Sequence, residues 1–187
     1  MPNWCNNSIT ISGPTETIKA IWEQATDESN PETGLLDAMH PMPKELHDTT
    51  KGSNGDAVNW YDWRVTNWST KWEVSSEGLE FTDNGDGTAI LSGWFDSAWA
   101  PPTEACNFYA QENPDVTITL DYHEPGMCFV GQAYYEDGDC IQDDCIDYSG
   151  CNHKTVRDHI GADYDDNWGI SEMMAEWADE EDDHVEA

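Results

Sequence analysis

Six of the chain's ten tryptophans, Trp60, Trp63, Trp68, Trp72, Trp94 and Trp99, fall within residues 59–102. Rings of this size dominate any core that forms around them, and each indole N–H needs a partner once buried. The same stretch carries Lys71, one of only five bases before residue 137. Core mass and a tethered positive charge are therefore expected in one place. Two blocks stand out inside it: Asn-Trp-Ser-Thr-Lys-Trp at 67–72 and Phe-Asp-Ser-Ala-Trp-Ala-Pro-Pro at 95–102.

Hydrophobic periodicity supplies the frame for that stretch. Ile9 and Ile11 alternate with polar residues and predict a short strand over 7–12. Gly13-Pro14 ends it, and Ile18, Ile21, Trp22 and Ala25 then recur at helical spacing, predicting a helix that closes near Asp27. Residues 30–59 read as a long, mostly irregular insertion with short helical turns near Leu35-Leu36 and the His-Pro-Met-Pro corner at 40–43. Loops of that length inside a compact domain are often functional. Two strands, 79–81 and 88–95, flank the turn-rich Asp-Asn-Gly-Asp-Gly at 83–87. Pro101-Pro102 opens a second helix with Ala105, Phe108 and Tyr109 on its apolar face. Val116, Ile118, Leu120 and Tyr122 alternate with polar residues as a further strand, and 129–135 is another. The order β, α, β, β, α, β plus one strand predicts an α+β fold: a ferredoxin-like split βαβ antiparallel sheet with two helices on one face. The term denotes topology, and no iron–sulfur ligand pattern is present.

The predicted organisation is a ferredoxin-like domain over 1–136, holding a Trp-rich insertion at 30–78, and a small acidic C-terminal lobe over 137–187. Seven bases against 39 acids give a net charge of −32. Residues 137–187 hold 17 acids and 2 bases, so the charge density there is more than double that of the preceding 136 residues. Ile170, Met173, Met174 and Trp177 predict a short helix near 170–178, with fraying from Asp179 because acids at a helix C-terminus oppose its dipole. A surface this negative repels phosphate backbones and disfavours direct nucleic-acid binding, while attracting basic protein surfaces. The same charge would also serve solubility alone. No apolar run reaches signal-peptide or membrane-spanning length, so a soluble protein of the cytoplasm is expected. The six cysteines are then expected to be reduced, some as small buried apolar groups.

With these residues placed, the chain resembles the YubB-type family of phage and plasmid proteins, which have a ferredoxin-like domain. The resemblance rests on Met-Pro-Asn-Trp-Cys-Asn-Asn at 1–7, Ile-Thr-Ile-Ser-Gly-Pro at 9–14, His-Pro-Met-Pro at 40–43, and the two Trp blocks. It continues through Tyr-His-Glu-Pro-Gly at 122–126 and Phe-Val-Gly at 129–131, covering roughly residues 1–137. Ser69 stands where the family pattern has Gly. The resemblance implies mobile-element origin, supplies no catalytic residue, and says nothing of the acidic extension.

Candidate sites are weighed against plainer readings. Trp68, Lys71 and Trp72, with Trp94, Trp99 and Pro101, would form an aromatic groove for a base or a proline-rich peptide; the alternative is that the insertion folds its indoles onto the sheet. Cys140, Cys145, Cys151 and His153, with His159, offer zinc-type ligands, but their spacing lacks the usual close Cys pair, so neither a metal nor any other cofactor is expected. Placing Asn-Gly-Asp-Gly-Thr at 84–88 in a calcium loop leaves Thr82 and Gly93 where Asp and Glu are required. No phosphate loop, nucleophile elbow or zincin helix occurs, and a non-catalytic protein is expected. The leading expectation is an inhibitor that presents a DNA-like acidic surface to a basic host protein such as a defence factor. Its candidate contacts are Asp143, Asp144, Asp147, Asp163, Asp165 and Asp166, with Met173, Met174 and Trp177 as an apolar anchor. The alternative is a small module that uses the Trp-lined face for a peptide, nucleotide or single strand.

Overall fold

In a computed structural model of the chain, residues 3–27, 29, 34–51 and 55–185 are described, with 180–185 described as backbone only. Strand β1 (Trp4–Pro14) leads into helix α1 (Thr15–Ala25), which buries Ile18, Ile21 and Ala25. The insertion then supplies α2 (Leu35–Met39), a single 3-10 turn (Lys44–Leu46) and α3 (Trp60–Trp68). Next come β2 (Leu79–Asp83), β3 (Thr88–Ala98), α4 (Thr103–Glu112), β4 (Thr117–Glu124) and β5 (Phe129–Glu136). The last elements are β6 (Asp139–Asp147), α5 (Val156–Ile160), α6 (Ala162–Trp168) and α7 (Ile170–Val185).

All six strands form one sheet in the order β2-β3-β1-β4-β5-β6, every neighbouring pair antiparallel. Strand β3 lies between β1 and β2, so β1, α1 and β2 make a split βαβ unit, and α4 returns the chain to β4 beside β1. That is the ferredoxin-like arrangement. Strands β5 and β6 extend the sheet past β4.

The boundary expected at residue 136/137 is corrected here. Strand β6 pairs with β5 from Phe129↔Asp147 to Glu136↔Asp139, so the sheet runs straight across it. Asp137 (φ 54°) and Gly138 (φ 82°) are the two left-handed residues of the tight hairpin between them. Helix α3 is a second addition to the expected elements. Asn59 starts it, its side chain accepting from the Asp62 amide at 3.0 Å. Helix α7 runs to Val185 instead of ending near 178. Of the expected irregular insertion, residues 30–33 and 52–54 lie outside the described residues, as do 1–2 of the N-terminal block and 186–187 of the expected frayed end.

Alternation along the strands makes two unlike faces. Ile9, Ile11, Leu91, Phe95, Ile118, Leu120 and Tyr122 join α1, α2 and α4 in the main core. The opposite face carries Ser8, Thr10, Ser92, Trp94 and Asp96, then His123 and Val130 further across. The C-terminal segment covers the part over β4–β6 with a second core of Val130, Tyr148, Val156, Ile160 and Ile170. Over β1–β3, Thr10, Glu80, Trp94 and Asp96 remain exposed.

Candidate binding surface

The sequence-predicted residues separate into three places. Trp68 is fully buried at the end of α3, its Nε1 donating to the His40 carbonyl at 2.8 Å. The Arg64 guanidinium lies 4.7 Å from the Trp68 ring centroid and 5.5 Å from that of Trp60. His40 in turn stacks on Phe108 at 3.6 Å. Trp68 therefore belongs to the core and not to an open groove, because a ring enclosed this way cannot stack on a ligand. Lys71 rests over Trp72 at 4.3 Å, and Lys51 over Tyr61 at 3.9 Å while also pairing with Asp62. Trp72 contacts Trp4 at 6.0 Å between centroids.

A second correction concerns the C-terminal residues. Met173 and Met174 pack against the second core, so they secure α7 and are not a free apolar anchor; Trp177 stays exposed. Asp165 is buried. It accepts from the Ser171 amide and hydroxyl, each at 2.7 Å, and from Arg157 Nη1 at 2.8 Å. Burial alone would raise its pKa, but the Ser171 and Arg157 bonds hold it below the usual carboxylate range. Asp165 thus caps the first turn of α7 and is withdrawn from any partner. Arg157 reaches Asp166 as well, at 2.5 and 3.2 Å, though Asp166 remains exposed.

Asp143, Asp144, Asp147 and Asp163 are exposed, the first three on the outermost strand β6. Tyr164, on α6 between Asp163 and Asp165, packs against the second core. Burial raises its phenol pKa first, and Asp144 and Asp121 add to the rise. The cysteines are not assembled. Cys145 pairs with Gly131 on the main-core side of the sheet, while Cys151 packs against the second core on the other side. Among the described residues no group of three His, Cys, Asp or Glu side chains is placed to hold a metal ion.

Two further features rest on contacts that the sequence does not predict, although the second contains Trp94 of the expected aromatic groove. One is the seam holding the C-terminal helices to the sheet. His123 Nε2 and the Tyr148 hydroxyl lie 2.6 Å apart, both residues buried, and the His123 ring sits 5.7 Å from Trp168. Burial pushes the His123 pKa down to about 4, so the ring is neutral at pH 7. Beside it, Glu124 is fully buried. The other feature is a cavity of about 340 Å³ lined by Asn6, Asn7, Trp94, Phe95, Asp96 and Trp168. Trp94 meets Trp168 edge-on at 5.4 Å, and Asn6 Nδ2 donates to Asp96 Oδ1 at 2.7 Å. Strand alternation already puts Trp94 and Asp96 on one face; the contribution of Trp168 depends on how the C-terminal segment folds back.

These features define a ferredoxin-like α+β domain whose sheet is lengthened by two strands and half covered by a helical lobe. Residues 67–184 match the family described as the ferredoxin-like domain in Api92-like protein, and the chain belongs to that family. The matched range includes β6 and α5–α7, so the acidic segment is part of the family's domain. The solved structure of a protein api92 from Yersinia pseudotuberculosis has the same fold, with a TM-score of 0.53 and 11% identity over 77% of this chain and 98% of that one. No curated protein sequence matches the chain. Among the described residues no helix is long and apolar enough to cross a membrane.

Proposed function

We propose that this is a non-catalytic protein of phage-like, mobile-element origin that binds a basic host protein in the cytoplasm through its acidic surface. The partner would be a nucleic-acid-binding factor, including a defence protein, for which the carboxylates stand in for phosphates. One observation carries the reading: most of the few cations are already engaged. Lys51, Arg64 and Lys71 lie over aromatic rings, Lys19 pairs with Glu23, and Arg157 with Asp165 and Asp166. Five of the seven bases are thus held locally, while the acids of β6, with Asp163 and Asp166 of α6, face solvent. Such a field speeds encounter with a basic surface and weakens with salt. The alternative, a Trp-lined groove around Trp68 for a peptide, nucleotide or single strand, loses its central ring to the core.

Capture from bacterial lysate tests the reading. Low-salt capture should recover a basic nucleic-acid-binding protein that duplex DNA displaces and high salt releases. Replacing Asp143, Asp144, Asp147, Asp163 and Asp166 together by Asn should abolish capture. A partner that ignores both salt and DNA, or no basic partner at all, contradicts it.

A further inference from the structure

The covered and open halves of the sheet's second face meet at Trp94. Its side chain is 59% exposed, and the ring stands between two depressions. The first, toward Trp168, carries Asp96; the second, lined by Ser8, Thr10, Gly78, Ser92 and Gly93 among others, carries Glu80. An exposed indole in a chain of this charge is thus flanked by a carboxylate on either side. Three further details show that the arrangement is held in place before any ligand arrives. Trp168 braces the Trp94 ring in a near-perpendicular contact, Asn6 fixes the Asp96 carboxylate through Oδ1, and Asn6 and Asp96 are directly paired across β1 and β3.

The geometry points to Trp94, with Asp96 and Glu80, as the receptor for an arginine side chain on the basic partner; this rests on the charge-directed binding proposed above. A guanidinium is planar and weakly hydrated, so it stacks on an indole face while its N–H groups reach a carboxylate. An ammonium would gain the charge but not the stacking. A nucleotide would gain the stacking but bring its phosphates against Asp96 and Glu80. A second copy of the chain would bring the same carboxylates face to face.

Calorimetric titration of the full chain with an octa-arginine peptide at low salt tests this, with octa-citrulline as the uncharged isostere. Trp94→Ala is expected to weaken octa-arginine binding by about five- to tenfold, between the ranges of an exposed and a desolvated cation–π contact. Trp94→Phe should recover part of the loss, and Asp96→Asn should weaken binding more than Asp147→Asn, which is distant in the sheet. All three positions are exposed, so thermal unfolding should be little changed. Octa-arginine binding that is unaltered in Trp94→Ala removes the receptor and leaves the charge reading standing. Failure of octa-arginine to bind the unaltered chain removes both. Equal binding of octa-citrulline, or a dimer that Trp94→Ala dissociates, overturns the assignment of the occupant.

Discussion

Ser69 joins two elements through one small side chain. It ends α3 in the left-handed region, at φ 65° and ψ −5°, where any residue with a Cβ is disfavoured. A glycine would adopt this conformation without that cost. The serine has a compensating role: its hydroxyl accepts from the Glu104 amide at 3.3 Å and lies 3.1 Å from Thr103 Oγ1. Pro102, at the cap position before helix α4, offers no side-chain cap, so Ser69 supplies the missing acceptor from a distant part of the chain. Ser69→Ala keeps the backbone penalty and loses the acceptor, and should lower unfolding stability by about 1 kcal/mol. Ser69→Gly loses the same acceptor but relieves a left-handed penalty of about 1 kcal/mol, so it should be near neutral. Urea unfolding of the two variants checks this; equal losses would show that the hydroxyl alone matters.

The helical lobe formed by α5, α6 and α7 is held to the sheet through the His123–Tyr148 contact and the neighbouring Trp168 ring. The His123 pKa falls from 6.5 to about 4 on folding, so between those values the unfolded chain binds a proton that the folded chain refuses. The stabilising contribution is complete above pH 6.5 and is lost as pH falls toward 4, by up to about 3 kcal/mol. His123→Gln removes the titration, so urea unfolding across this range should show a smaller acid loss than in the unaltered chain. Carboxylate protonation is common to both proteins and cancels in the comparison; parallel pH profiles would rule out a titrating role for His123. The elements themselves differed in how plainly the sequence announced them. Strand β1 and helices α1 and α4 each show a clean period because one face is buried and the other wetter, and β4 and β5 keep an alternating pattern although the C-terminal segment covers their second face. Strand β6 does not. Asp143, Asp144, Cys145 and Asp147 leave it polar on both faces, and Asp137-Gly138, a strong hairpin signal, was absorbed into the change in composition. Helix α3 was hidden because Trp60, Tyr61, Trp63, Val65 and Trp68 ring it with apolar groups, so the burial of Trp68 alone carries no periodic mark. For the binding surface, the shared face of Trp94 and Asp96 follows from alternation, whereas the approach of Trp168 depends on tertiary docking.

On the scale of the whole molecule, a net charge of −32 acts in opposite directions on folding and on binding. Folding gathers the carboxylates onto one compact surface, and the bases held on rings and in local pairs do little to offset their mutual repulsion. Salt shortens the range of that repulsion to a Debye length of about 10 Å at 0.1 M and about 3 Å at 1 M. The folded state is the more compact and gains more from screening, so thermal stability should rise with salt. An increase of about 2–4 °C in Tm between dilute buffer and 0.5 M NaCl corresponds to about 1 kcal/mol for a chain of this size. Association with a basic partner should weaken over the same range, because screening removes the attraction that steers encounter. Differential scanning calorimetry and a binding titration in matched buffers read the two effects side by side. Opposite signs are the expectation for a field that both strains the fold and recruits the partner. A Tm that is flat or falls with salt would mean that acid–acid repulsion is already balanced inside the fold, and the acidic surface would lose the excess potential that the binding reading requires.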